Sequence, residues 1–262
     1  MKAISGFRYK DLGPDGGPFD QFENPKVVIH TTQGSSISGA ESAFRNYPPH
    51  AIYDPRNRAR VQYVSLDRHS YALRNSEAED DFVIQFEIVG FAESTHKWPD
   101  EYYRNFAADV IVPMEQALAV PRRHMRFYGA DEGIVLASRH SPVRLSNAAW
   151  RAYSGWLGHQ HSPNPDEHWD PGRFLMDKAF SFVPGKTPKK EDPIMFLVRE
   201  RDKPEVWIGD YVQRRWVATQ AEVKHLEARF GATSIIDPGT AIVFGEETAE
   251  SKARRTGTGG PL

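Results

Sequence analysis

Phe82-Val83-Ile84-Gln85-Phe86-Glu87-Ile88-Val89-Gly90 is the stretch on which the reading of the fold turns. Successive side chains of a β-strand point to opposite faces, so Phe82, Ile84, Phe86 and Ile88 share one face. Val83, Gln85, Glu87 and Val89 share the other. Apolar residues on both faces suit a central strand covered from both sides. Glu87 stands out, because a buried carboxylate must be paired or ligated. If its face meets solvent, Glu87 is ordinary; if that face lines a cleft, Glu87 is a catalytic candidate.

Working outward, Val27-Val28-Ile29-His30-Thr31-Thr32 reads as a second covered strand that ends on a histidine. Functional groups gather at strand ends of open α/β sheets, although a histidine can also end a strand for no special reason. Residues 51–53 and 60–64 read as a strand pair across Asp54-Pro55-Arg56-Asn57-Arg58. Helical patterns cover residues 38–46, 100–118 and 173–180. In the longest of these, Pro113 should kink or end a turn. Ser146 or Asn147 can cap a further helix through Trp150 and Tyr153 to about Leu157. Strands and helices together give the α/β class.

Composition narrows the partners. The 33 basic and 35 acidic residues leave a net charge of −2, which points to no nucleic acid. The chain has no cysteine, so any zinc must sit on histidine and carboxylate ligands. The start, Met1-Lys2-Ala3-Ile4-Ser5-Gly6, has no apolar core of signal-peptide length, and no run suits a transmembrane segment.

Five regions are expected. Residues 1–25 are an irregular arm, 26–182 the main domain, and 183–192 a Pro- and Lys-rich linker. Residues 193–245 form a small α+β module with strands near 194–199, 206–208 and 215–217 and a helix over 219–230. Residues 246–262 are a polar, Gly-rich tail expected to be disordered, and residues 74–81 an acidic loop.

The second decisive stretch is Gly158-His159-Gln160-His161-Ser162-Pro163-Asn164-Pro165-Asp166-Glu167-His168-Trp169-Asp170-Pro171-Gly172. Imidazole and carboxylate are zinc ligand types, and Pro and Gly shape a loop on which they can converge. A solvated polar loop is the plain alternative.

His30, Glu87 and this loop together resemble the zinc-dependent type-2 N-acetylmuramoyl-L-alanine amidases, which include phage endolysins and relate to peptidoglycan-recognition proteins. The resemblance rests on the strand ending in His30, on Gln85-Phe86-Glu87-Ile88-Val89-Gly90, and on Gly158-His159 followed by Asp170-Pro171-Gly172. It covers residues 25–180, and Gly158-His159-Gln160-His161 with His168-Trp169-Asp170-Pro171-Gly172 is similar to actinobacteriophage endolysins. The resemblance implies a central mixed β-sheet flanked by helices and Zn2+ bound by His30, His159 and Asp170. It implies Glu87 as catalytic carboxylate and His168 in the place of an oxyanion-stabilising lysine. The spacing from His159 to Asp170 is one residue longer than in bacterial members, which leaves His161 as an alternative ligand. Where some relatives carry a tyrosine before a histidine, this chain has Pro49 before His50, so Glu87 must carry more.

The implied activity is an endolysin's: hydrolysis of the amide between N-acetylmuramic acid and L-alanine in peptidoglycan, by a monomer made in the host cytoplasm that acts on the wall after release. The alternatives are a non-catalytic peptidoglycan-binding protein on the same fold and an amidase recycling soluble muropeptides. The small module is read as a wall anchor. His50 is a weaker candidate for substrate contact, Trp156 and Trp169 are possible cleft walls, and His69, His96, His124, His140 and His225 read as surface or structural. Asp166 and Glu167 read as solvated.

Overall fold

A computed structural model describes residues 2–73, 82–134, 136–138, 141–163, 168–184, 196–200, 206–209, 213–217, 220, 223–224, 234–236 and 246–247. The expected loop at 74–81, Asp166 and Glu167, His140 and His225, most of the linker, most of the helix at 219–230 and the tail from 248 lie outside the described residues. The chain divides into two units, Met1–Lys189 and Lys190–Leu262.

The first unit is built on six strands: β1 (Arg8–Tyr9), β2 (Lys26–Thr31), β3 (Ala51–Asp54), β4 (Ala59–Gln62), β5 (Val83–Ile88) and β6 (Gly155–Gly158). They form one mixed sheet in the order β1-β4-β3-β5-β2-β6. β3 and β4 are antiparallel, joined by the expected tight connection, and the other neighbours are parallel. The two strands with the strongest apolar runs, β2 and β5, are both interior and pair over their full lengths.

Both faces of β5 are covered, and the expected alternation holds. Ile84, Phe86 and Ile88 join Val27, Ile29 and Trp156 in the largest core cluster. Against them pack Tyr103, Phe106, Val110 and Met114 from the long helical stretch, and Ala179 and Phe180 from the last helix. Fully burying a Val, Ile, Phe or Met side chain contributes about 1.5–3 kcal/mol. The opposite face is split. Val28, Val83 and Leu157 pack with Trp150 in one small cluster, and Ile52, Val61 and Val89 pack with Ala40 in another. His30 and Glu87 fall between these clusters, where the apolar cover is interrupted.

The helical stretch runs as α-helix Asp100–Phe106, a π-helical segment Ala107–Ile111 and α-helix Val112–Leu118. Pro113 accounts for the interruption. It lacks an N–H and crowds the carbonyl four residues back, and the wider turn ahead of it absorbs both problems without breaking the rod. The helix expected from Ser146 to about Leu157 is shorter. Ser146 does cap it, accepting from Ala149 N, but it spans only Asn147–Ala152. Gly155 then adopts a φ of +133°, and Trp156 and Leu157 lie on edge strand β6. The unsatisfied edge of β2 recruits residues whose local pattern reads equally well as helix. Two further helices are Ile37–Ala43, capped by Ser36, and Met176–Ser181. Before β2, Ile4 and Phe19 are buried and β1 pairs with β4.

The second unit carries five short strands: β7 (Phe196–Glu200), β8 (Val206–Gly209), β9 (Gln213–Val217), β10 (Ser234–Ile236) and β11 (Glu246–Glu247). Their order is β10-β7-β8-β9-β11, with an antiparallel meander at the centre. Among the described residues, no helix is long and apolar enough to cross a membrane.

Candidate metal centre and cleft

The site starts from strand register. In the parallel pairing of β2 and β5, His30 lies opposite Glu87, and on the far side Glu87 lies opposite Ile52 of β3. Neighbours in register show their side chains to the same face, so imidazole and carboxylate emerge side by side. In the β2–β6 pairing Ile29 lies opposite Gly158, so the next residue, His159, leaves the sheet edge beside His30. The loop after His159 returns to bring Asp170 over the same spot.

Two glycines allow that return. A Cβ on Gly158 would stand 2.6 Å from Pro171 Cδ and 2.8 Å from the Phe127 ring, so only a bare backbone lets the loop close onto β6. Gly172 has a φ of +69°, and a Cβ there would overlap Ala92 O.

The resulting cluster is tight and buried. His30 Nδ1 and His159 Nδ1 are 3.2 Å apart. Asp170 Oδ2 is 3.4 Å from His30 Nδ1, and Asp170 Oδ1 is 3.3 Å from His159 Nδ1. Thr31 N donates to Asp170 Oδ2 at 3.2 Å, which orients the carboxylate from the end of β2. Two ligands held about 2.0–2.1 Å from one zinc at the tetrahedral angle stand about 3.3 Å apart. The two imidazole nitrogens stand at that spacing, and each has a different Asp170 oxygen at a similar distance, so His30, His159 and Asp170 could hold a zinc ion. Among the described residues they are the group of three that could hold a metal.

Electrostatics separates the two carboxyls. Burial pushes Asp170 up, but the imidazoles of His159 and His30 outweigh it and hold the carboxyl well below the usual carboxylate range. Glu87 is pushed well above that range, first by burial and then by the negative charge of Asp170, with His159 offsetting only part. Glu87 Oε2 is buried with no hydrogen-bond partner among the described residues. A carboxyl pushed upward beside a fixed anion holds its proton more tightly than a free one, the direction an acid–base group requires.

The loop's other histidines part company. His168 comes to the rim with its side chain 56% exposed, its ring stacked on His159 at 4.5 Å and 9°, and Nδ1 3.9 Å from Asp170 Oδ1. His161 turns away. Its Nδ1 accepts from Gly158 N at 2.8 Å and its Nε2 faces Arg126 O at 2.9 Å. Burial pushes its pKa down to about 4, so it is a neutral structural group and not the alternative ligand. His159, and not His161, is the histidine that faces Asp170.

A cleft of 620 Å³ opens over the cluster, lined by His30, Glu87, His159, His168 and Asp170 together with Thr32, Gln33, Phe44, Tyr47, Tyr71, Glu93 and Trp169. The aromatic wall was only partly foreseen. Trp169 lines the cleft, whereas Trp156 is fully buried against Phe106 and Phe180. Tyr47 and Tyr71 carry no motif and reach the cleft only through folding. His50 is no substrate contact: it is fully buried, accepting from Gln85 N through Nδ1 at 3.0 Å with Nε2 2.9 Å from Arg68 O. His124 pairs with Asp177.

Arg144, silent in the sequence, braces the loop. Its guanidinium donates to His168 O at 2.7 Å and Leu136 O at 2.9 Å, with Nη1 3.3 Å from both His159 O and Gln160 O. One planar fork therefore holds backbone at both ends of the segment that carries His159 and His168.

No protein-family model matches the chain, and a search of curated proteins finds no match. Among solved structures the chain is similar to a selenomethionine derivative of AmpD, at 16% identity and a TM-score of 0.41, covering 70% of this chain and 99% of that one. It is also similar to the Staphylococcus aureus hydrolase AmiA in complex with its ligand, at 15% identity and a TM-score of 0.43, covering 70% of this chain and 88% of that one.

Proposed function

We propose that the chain is a zinc-dependent peptidoglycan hydrolase that cleaves the amide between N-acetylmuramic acid and L-alanine, and that it serves as an endolysin. The observation that carries the reading is the buried convergence of His30, His159 and Asp170, whose closest ligand atoms stand 3.2–3.4 Å apart, with Glu87 next to His30 in the sheet. Three protein ligands leave room for a reacting group, the pattern of a catalytic rather than structural site. Zinc in such a site supplies Lewis acidity, polarising a carbonyl and making water acidic enough to attack near neutral pH.

The chain's own groups do the rest. Glu87 takes the proton of the attacking water as it adds to the amide carbon and hands it to the nitrogen as the C–N bond breaks. His168, on the rim, donates toward the oxygen of the tetrahedral intermediate. Thr31 N and the two imidazoles keep Asp170 ionised and oriented. The buried, unpartnered Glu87 oxygen favours catalysis over mere binding, since a binding protein gains nothing from that desolvation cost.

Digestion of purified cell walls by the zinc-loaded chain, with mass spectrometry of the products, tests this. Free L-alanine amino termini on released stem peptides are expected. Intact walls, with the chain sedimenting on them, would instead establish the non-catalytic binder. The unit from Lys190 onward is assigned to wall anchoring, and a chain truncated after Lys189 should lose wall affinity while still cleaving soluble muropeptide.

A further inference from the structure

Gln160 ties the two halves of the site together. Its backbone N–H donates to Asp170 O at 3.2 Å. Its fully buried side chain donates from Nε2 toward Trp169 O at 3.0 Å, Tyr128 O at 3.1 Å and Gly172 O at 3.2 Å, while Oε1 accepts from Tyr128 N at 2.8 Å. The carbonyls on either side of the Asp170-Pro171 unit thus converge on one amide, carried by the residue next to His159. That amide is in turn fastened at both its polar atoms to Tyr128, outside the loop.

We propose that Gln160 is a positioning residue for the metal, holding the Asp170 carboxylate at chelating distance from His159 before an ion arrives. The inference rests on the metal reading given above, though not on the identity of the substrate. The physical reason is preorganisation. His159 and Asp170 are brought together from separate positions in the chain, and ligands that must be ordered on binding lose affinity to that ordering. Groups that orient ligands without touching the metal typically change affinity about 10- to 100-fold when replaced.

The test measures zinc affinity of the full chain by competition with a chromophoric chelator, alongside the visible spectrum of the cobalt(II) form and melting of the metal-free protein. Gln160→Glu keeps the size but loses both N–H donors and presents an oxygen to the same carbonyls. It is expected to weaken zinc binding about 10- to 100-fold and to alter the cobalt bands. Gln160→Asn keeps the amide one methylene short and should move both readouts in the same direction by less. A residue that serves only stability would lower the melting temperature and leave affinity and spectrum unchanged, and that result overturns the proposal. Failure of both variants to fold would assign Gln160 to the fold and overturn it as well. If the wild-type chain itself takes up no zinc, the metal reading falls; if wild type and variants all bind tightly, only the role of Gln160 does.

Discussion

Glu87 lies directly opposite His30 in the parallel register of interior strands β5 and β2, on the face where the apolar cover of the sheet is interrupted. One residue of slip in either strand would send one of the two side chains into the core face, because strand side chains alternate. The pairing of candidate ligand and proposed acid–base group is therefore a property of the sheet, protected by all the apolar contacts that hold its register.

That pairing predicts a clean division of labour. Glu87→Gln, close to isosteric, should lower kcat by about 10²- to 10⁴-fold while zinc content by metal analysis stays at the wild-type level. His30→Ala should remove both zinc and lysis, and chelator treatment of the wild type should abolish activity that added zinc restores. Full lytic activity in a metal-stripped protein would sink the metal reading.

His168 is half-exposed, stacked on His159 and outside the candidate ligand group. Its replacement by Ala should reduce turnover about 10- to 100-fold, the low end for loss of an oxyanion donor given its exposure, with much less change in zinc content. Turnover equal to wild type at saturating substrate would remove His168 from the mechanism.

The stability of the fold should fall in mild acid through His50. Burial pushes its pKa from 6.5 down to about 3, so the folded protein keeps it neutral where the unfolded chain protonates it. The unfolded state then binds more protons, and stability is complete above pH 6.5 and declines as pH falls toward 3. The slope is about 1.4 kcal/mol per pH unit, or about 2 kcal/mol lost by about pH 5. Denaturant unfolding of wild type and His50→Gln at about pH 7.5 and about pH 5 isolates this group, since the variant lacks it. Parallel losses in the two proteins would show that His50 does not contribute.

Gly172→Ala tests the loop closure. The left-handed backbone costs a non-glycine residue about 1–2 kcal/mol, and the added Cβ would overlap Ala92 O. Chemical denaturation should show a loss of at least that size, with weaker zinc binding because Asp170 moves with the loop. A variant with wild-type stability and zinc affinity would mean that the loop can close by another path.

The sequence by itself determined the two covered strands that carry His30 and Glu87, the loop that offers metal ligands and the break in the long helix. Alternation on Phe82 to Val89 follows from covalent strand geometry, and both faces of that strand are buried as the pattern requires. Pro113 acts through its missing N–H, a purely local fact, although the π-helical turn that accommodates it was not legible. Only the tertiary structure decided which histidine of Gly158-His159-Gln160-His161 faces Asp170. Both imidazoles have the same chemistry, and the choice is made where β6 runs beside β2 and leaves His159 next to His30 while Arg126 O and Gly158 N take up His161. The same edge pairing turned Trp156 and Leu157 from an expected helix into a strand, because an open β2 edge is satisfied by neighbours distant in sequence. Arg144 and Gln160 carried no signal for the same reason: a guanidinium or an amide gains a role only when folding gathers several carbonyls around it.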